Sequence, residues 1–139
     1  MMKYFTLVIA VLLLCGVSSC HKNGSPGPAS TSIVGRWRWV KSVGGIAGMT
    51  ATPASDGYNL TQVYDANSTF KLYKNDSLEL QSKYSIIRNF KYQTQTIDLL
   101  RIGDDESNKT DFTIRNDTLY ASNMLFISDG FSSVYVRVK

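Results

Sequence analysis

The chain of 139 residues has room for one folded domain and no second catalytic module. Its composition, 43% hydrophobic and 12% aromatic, is that of a globular protein rather than a disordered one. The formal net charge of +4 is mild and the basic residues are scattered singly, with no stripe or cluster, which excludes nucleic acid as an expected partner.

In chain order, Met1, Met2 and Lys3 are followed by an uncharged, mostly apolar stretch from Tyr4 to Val17, the hydrophobic region of an export signal. As a helix it would span about 21 Å, short of the ~30 Å hydrocarbon core, so a permanent membrane span is disfavoured. Val17-Ser18-Ser19-Cys20 comes next. An aliphatic residue, two small residues and a cysteine at this position resemble the bacterial lipobox. Residues 1–19 are read accordingly as a lipoprotein signal peptide and Cys20 as the lipidated first residue of the mature chain; the alternative is a plain secretory signal with a chance cysteine. Each acyl methylene in the bilayer contributes about 0.8 kcal/mol, so several chains, palmitate among them, hold such a protein on its lipid partner. Cys15 would leave with the signal and Cys20 would remain without a second cysteine, which removes any intramolecular disulfide. Residues 20–31 are the lipidated cysteine and a tether of Gly, Ser and Pro with a typical reach under about 20 Å. His21 rather than Asp follows the cysteine; in two-membrane bacteria this resembles sorting to the outer membrane, with the leaflet left open.

Residues 32–139 read as all-β, because from Ile33 onward the dominant period is two and helical periodicity is absent. Gly35 to Val43 puts Trp37 and Trp39, and with them Val43, on one face, with Arg36, Arg38 and Ser42 on the other. Tyr58 to Asp65 groups Tyr58, Leu60 and Tyr64. Thr69 to Lys74 and Ser77 to Ile87 form a hairpin across Asn75-Asp76, residues that tolerate the positive φ of tight hairpin turns. Its second arm aligns Leu78, Leu80, Tyr84 and Ile86. Further strands are expected at Gln95 to Ile102, Thr110 to Arg115, Thr118 to Ser122, Met124 to Ser128 and Ser133 to Val138, with Asn116-Asp117 as a second two-residue turn. Eight or nine short strands joined by tight turns make an antiparallel up-and-down meander. Closure into a barrel of about eight strands removes both exposed edges; a two-sheet sandwich fits the same pattern.

Gly35-Arg36-Trp37 at the start of the first strand resembles the Gly-x-Trp signature of the lipocalins and their short lipocalin-like relatives. Thr110-Asp111-Phe112 is similar to the family's Thr-Asp-aromatic loop, and Arg137 lies in the last strand where the family has a basic residue. The stretch from Ile33 to Ile87 also resembles lipocalin-like domains of small bacterial outer-membrane lipoproteins. The chain departs from full lipocalins in its shortness and in lacking both a helix after the barrel and cysteine pairs, which weighs against a large ligand cavity. The expected closure group is Gly35, Trp37 and Arg137, with the guanidinium within about 6 Å of the indole face; the alternative makes Trp37 ordinary core.

Histidine catalysis is excluded by arithmetic, since the only histidine is His21 in the tether. A zinc site would need several His or Cys ligands, so neither a metal nor another cofactor is expected. Gly44-Gly45-Ile46-Ala47-Gly48 lacks the Lys and Ser/Thr of a phosphate loop, and reads either as a lid at the barrel mouth or as a plain connection. Asp104-Asp105-Glu106 reads as solvated surface. No enzyme is expected. Aromatics spread over most strands fit either a filled interior or a small amphipathic pocket. The leading expectation is a cell-envelope binding protein for a small apolar or amphipathic ligand. Trp39, Tyr58, Tyr64, Phe70 and Tyr84 would be its contacts, and the loop from Gly44 to Thr52 would gate entry. The alternative is a filled barrel that docks another envelope protein.

Overall fold

A computed structural model of the chain describes residues 31–139; the expected signal peptide, the expected lipidation site Cys20 and the expected tether up to residue 30 lie outside the described residues. Among the described residues, alternation of apolar and polar side chains produces nine strands, with one short helix between the second and third: β1 (Gly35–Gly44), β2 (Met49–Ala51), α1 (Pro53–Asp56), β3 (Leu60–Tyr64), β4 (Thr69–Lys74), β5 (Ser77–Tyr92), β6 (Gln95–Ile102), β7 (Lys109–Arg115), β8 (Thr118–Ser122) and β9 (Phe131–Val138). Each strand from β3 to β9 pairs with the next, β1 pairs with β3, and β9 returns to β1. All pairings are antiparallel. Eight strands therefore close a barrel with no free edge, while β2 adds a short hairpin to the upper end of β1. The connections after β1, β4, β6 and β8 fall at one end, the mouth. Chain entry before Gly35 and the turns after β3, β5 and β7 fall at the other.

The closed end is built around Trp37, which is fully buried and donates from Nε1 to the Ile33 carbonyl at 2.7 Å. The Arg137 guanidinium lies 4.1 Å from the centroid of the Trp37 ring. Its nitrogens also donate to Asp117 (3.1 Å), the Val34 carbonyl (2.8 Å) and the Ser32 carbonyl (2.6 Å). Gly35 has a direct role in this arrangement, since a Cβ there would stand 2.6 Å from Arg137 Nη1. First strand, last strand and entering chain are thus joined through one cation. Trp37, Tyr64, Phe70, Tyr84, Leu100, Phe112, Leu119 and Tyr135 pack together above it as the interior.

The two Asn-Asp turns hold φ of 47° and 65° at Asn75 and Asp76, and 48° and 59° at Asn116 and Asp117. Two consecutive positive φ values are those of the type I′ turn, whose twist matches that of the flanking strands.

Local irregularities move several residues from their expected places. A bulge at Val40 shifts the β1–β9 register between Trp39 and Lys41, so Ser42 rather than Val43 continues the inward face. A shift between Leu72 and Tyr73 leaves Leu80 opposite Leu72 but puts Leu78 opposite Tyr73, which removes Leu78 from the face of Tyr84 and Ile86. Met124 to Ser128 is not a strand: the Asn123 carbonyl accepts from Phe126 and Ile127, both at 3.0 Å, and these local bonds replace a ladder. The segment Gly44 to Tyr58 carries more structure than a loop. There, Thr52 and Ser55 exchange backbone-to-side-chain bonds of 3.1 and 2.8 Å and Gly57 ends α1 at φ 71°, a one-turn helix too short to show a period. β3 begins at Leu60, β9 at Phe131, and β5 runs on past Ile87 to Tyr92 through a bulge.

Candidate functional site

The five aromatics expected to meet a ligand fall into two groups. Tyr64, Phe70 and Tyr84 form one interior cluster, with ring centroids 5.1 Å (Tyr64–Phe70) and 5.2 Å (Tyr64–Tyr84) apart, and all three are buried. The Tyr84 hydroxyl donates to the Asp65 carbonyl at 3.0 Å, which directs it to the closed end. Trp39 and Tyr58 form the second group, stacked at 5.9 Å and 18°. Lys74 Nζ lies 4.4 Å above the Tyr58 ring, and the Tyr58 hydroxyl donates to Asp56 at 3.1 Å. The β1–β3 connection thereby covers Trp39 and closes one side of the mouth.

The rest of the mouth leads into a cavity of about 180 Å³ whose lining includes Tyr64, Leu100, Ile102, Ala121, Phe131 and Tyr135, together with Gln62, Thr110, Asn123 and Ser133. Its polar side chains form a chain. Tyr64 donates its hydroxyl to Gln62 Oε1 at 2.9 Å, and Gln62 Nε2 donates to the Tyr135 hydroxyl oxygen at 3.1 Å. Ser133 shares a 2.7 Å bond with Ser42, which accepts from Trp39 Nε1 at 2.9 Å. The bulge at Val40 is what delivers Ser42 to this chain. Burial pushes the Tyr64 and Tyr135 hydroxyls up from their ordinary pKa, so both stay protonated and neutral. None of the lining residues is Asp, Glu, Lys, Arg or His.

One sector of the rim, where the β1–β2 turn meets the β8–β9 connection, is largely apolar, whereas Asp76 in the β4–β5 turn and Asp104, Asp105 and Glu106 in the β6–β7 connection make the rest of that end acidic. Gly45 N–H donates to the Gly130 carbonyl at 3.2 Å, which binds the β1–β2 turn to the β8–β9 connection. A Cβ on Gly44 would lie 2.2 Å from that carbonyl oxygen, so glycine is required for the two segments to meet this closely. Around the junction stand Ile46 (91% exposed), Met49 (62%), Met124 (55%) and Phe131 (39%). No charged residue occurs from Gly44 to Ser55 or from Ser122 to Ser128.

A larger hollow of about 370 Å³ opens sideways near the closed end. It lies where β6 and β7 part, because their pairing stops at Asp98 and Phe112. It is polar and held by the 2.5 Å Arg88–Asp98 ion pair, with Arg88 5.4 Å over the Phe112 ring. That pair is internally satisfied. The mouth cavity, by contrast, combines apolar walls with uncharged hydrogen-bonding side chains, the usual composition of a small-molecule site.

The polar half of the cavity was missed by sequence reasoning, although Gln62 carried a signal. It sits between Leu60 and Tyr64, so on a period-two strand it shares their inward face. Ser133 and Tyr135 are placed inward with Arg137 in the same way. Thr110, Asn123 and Phe131 come from separate strands and a loop, and no local pattern joins them. No family model, no curated protein and no solved structure matches this chain.

Proposed function

We propose that this chain is a cell-envelope lipoprotein, acylated at Cys20 and held on the outer membrane, whose lipocalin-like barrel is a non-catalytic binding domain for a small amphipathic molecule. The observation that carries the binding reading is the 180 Å³ mouth cavity with its uncharged lining, beside an apolar sector of the rim. The polar part of a ligand would meet the Gln62–Tyr135 chain and its apolar part would contact Leu100, Ile102 and the rim. Val17-Ser18-Ser19-Cys20 supports the anchor. The Gly35, Trp37 and Arg137 closure supports the lipocalin-like assignment, together with the eight-stranded closed barrel.

The test is a thermal-shift screen of small neutral and amphipathic compounds on the full chain and on Ala121→Phe, whose added ring occupies the cavity. A ligand that stabilises the parent and leaves Ala121→Phe unmoved supports the reading, because binding to the folded state alone raises its stability by mass action. Equal stabilisation of both proteins overturns it. A second reading, a module that docks another envelope protein, draws on the exposure of Ile46, Met49, Met124 and Phe131. Under that reading Ile46→Ser would abolish partner capture while leaving small-molecule shifts intact.

A further inference from the structure

The chain enters the barrel at a fixed point. Arg137 donates to the Ser32 and Val34 carbonyls, so the segment that leads back toward Cys20 leaves from the closed end, beside the turns after β3 and β7. The eleven residues between Cys20 and Ser32 span at most about 40 Å in any conformation, and their Gly, Ser and Pro composition gives a typical reach under about 20 Å. From closed end to mouth β1 rises roughly 25 Å, as ten tilted strand residues do. A Cys20 held in a bilayer therefore lets the closed end settle on the membrane surface, whereas bringing the mouth there would stretch the expected tether almost fully along the barrel wall. Charge divides along the same axis. Around the chain exit and the turns after β3 and β7 stand Lys71, Lys83, Arg115, Arg137 and Lys139 with two carboxylates, Asp65 and Asp117. Asp65 pairs with Lys71 at 3.1 Å, and Asp117 lies 3.1 Å from Arg137 and 3.9 Å from Lys139. Lys83 and Arg115 are the surplus. Both are exposed and neither has a carboxylate partner among the described residues, while Lys83 Nζ is turned toward the closed end, 3.5 Å from the Asn67 carbonyl. The mouth end is acidic instead, through Asp76, Asp104, Asp105 and Asp129. An anionic lipid surface attracts the first end and repels the second.

We infer that the barrel stands closed end down on an anionic bilayer surface, with Lys83 and Arg115 among the phospholipid headgroups and with the mouth and its apolar sector opening away from the membrane. The inference rests on the proposed acylation of Cys20 and is independent of what the cavity holds. The anchor supplies proximity, so the two cations have only to bias orientation, and two basic side chains near an anionic surface favour the seated orientation by roughly 30-fold at low salt. Ile46, Met49 and Phe131 of the rim then face the aqueous side rather than lipid, and a ligand of the mouth cavity arrives from there.

The experiment uses the acylated chain purified from membranes, in nanodiscs of phosphatidylcholine with or without phosphatidylglycerol, each carrying a trace of gadolinium-chelate lipid at the headgroup. Paramagnetic broadening of backbone amides reports which end lies near the headgroups. In phosphatidylglycerol discs the amides of Asn67, Asn116 and Lys139 are expected to broaden about threefold or more beyond those of Ile46, Met49 and Asp76. Lys83→Glu combined with Arg115→Glu is expected to reduce that ratio by about half or more. Raising NaCl from about 0.1 to 1 M, which shortens the screening length from about 10 to 3 Å, should do the same to the unsubstituted chain and needs no variant to fold. Equal or stronger broadening of the rim amides overturns the inference, and so does a ratio that phosphatidylglycerol, salt and the charge reversal all leave unchanged. Intact mass, measured before reconstitution, separates the other failure: a chain that carries no fatty acid overturns the lipoprotein reading itself, and the seated orientation with it.

Discussion

Arg137 makes more kinds of contact than any neighbour at the closed end, and its guanidinium fork is what allows this. A planar group with five donors can lie on Trp37 while bonding Asp117 and the Val34 and Ser32 carbonyls. Arg137→Ala should therefore destabilise the barrel by about 2–4 kcal/mol, measured from the urea midpoint of tryptophan fluorescence. Arg137→Lys should recover only a minor part, because an ammonium cannot reproduce the fork. The acidic residues divide by environment. The Asn89 N–H at 3.0 Å and then Arg88 hold the Asp98 carboxyl below the ordinary range. Its stabilising contribution is full above the ordinary carboxylate pKa and is lost as pH falls through the lowered one. Burial instead raises Asp111, whose Oδ1 has no hydrogen-bond partner on another residue among the described residues; its contribution is present below the ordinary carboxylate pKa and is lost as pH rises through the raised one. At neutral pH Asp98→Asn should accordingly be less stable than the parent and Asp111→Asn more stable. Both differences should shrink in acid, and urea midpoints at several pH values check the signs. Neither assignment was legible in the sequence, because each carboxyl takes its environment from residues on other strands.

At the scale of elements, the two hairpin turns share a backbone and differ in what their side chains do. Asp76 and Asp117 both hold positive φ, where glycine is freer of strain. Among the described residues the Asp76 carboxylate pairs with an exposed Arg36 at 3.5 Å, a contact of little worth at the surface. Asp76→Gly should stabilise the β4–β5 hairpin by roughly 0.5–1 kcal/mol. Asp117→Gly should instead lower stability, since it removes the carboxylate that holds Arg137. Thermal midpoints of the two variants, moving in opposite directions, are the measurement. Both turns were legible because Asn-Asp is a local signal. The bulges at Val40 and in β5, which put Ser42 inward and Leu78 outward, were not, since period two contains no mark of an inserted residue. The same holds for the β8–β9 connection, where apolar Met124 to Ile127 reads as a strand until Asn123 is seen to consume its hydrogen bonds.

For the whole molecule, the anchor and the barrel are separable predictions. Cys20→Ala should abolish incorporation of labelled fatty acid and move the protein from the membrane fraction to the soluble fraction, with the unfolding transition of the barrel unchanged. Retention in the membrane by the variant would count against the lipoprotein assignment. What the sequence determined by itself was whatever lies within a few residues: the alternation that makes strands, the two Asn-Asp turns, and the all-β class. Barrel closure was expected because a meander of this length must dispose of its edges. Only the tertiary structure decided which strands meet across long stretches of chain and where the mouth lies. It also brought Gln62, Thr110, Asn123, Ser133 and Tyr135 around one small cavity. The reason is that a side chain's face follows from its neighbours in sequence, whereas a cavity is the space left when residues from β3, β6, β7, β8 and β9 converge. Its volume depends on packing, which no single strand encodes.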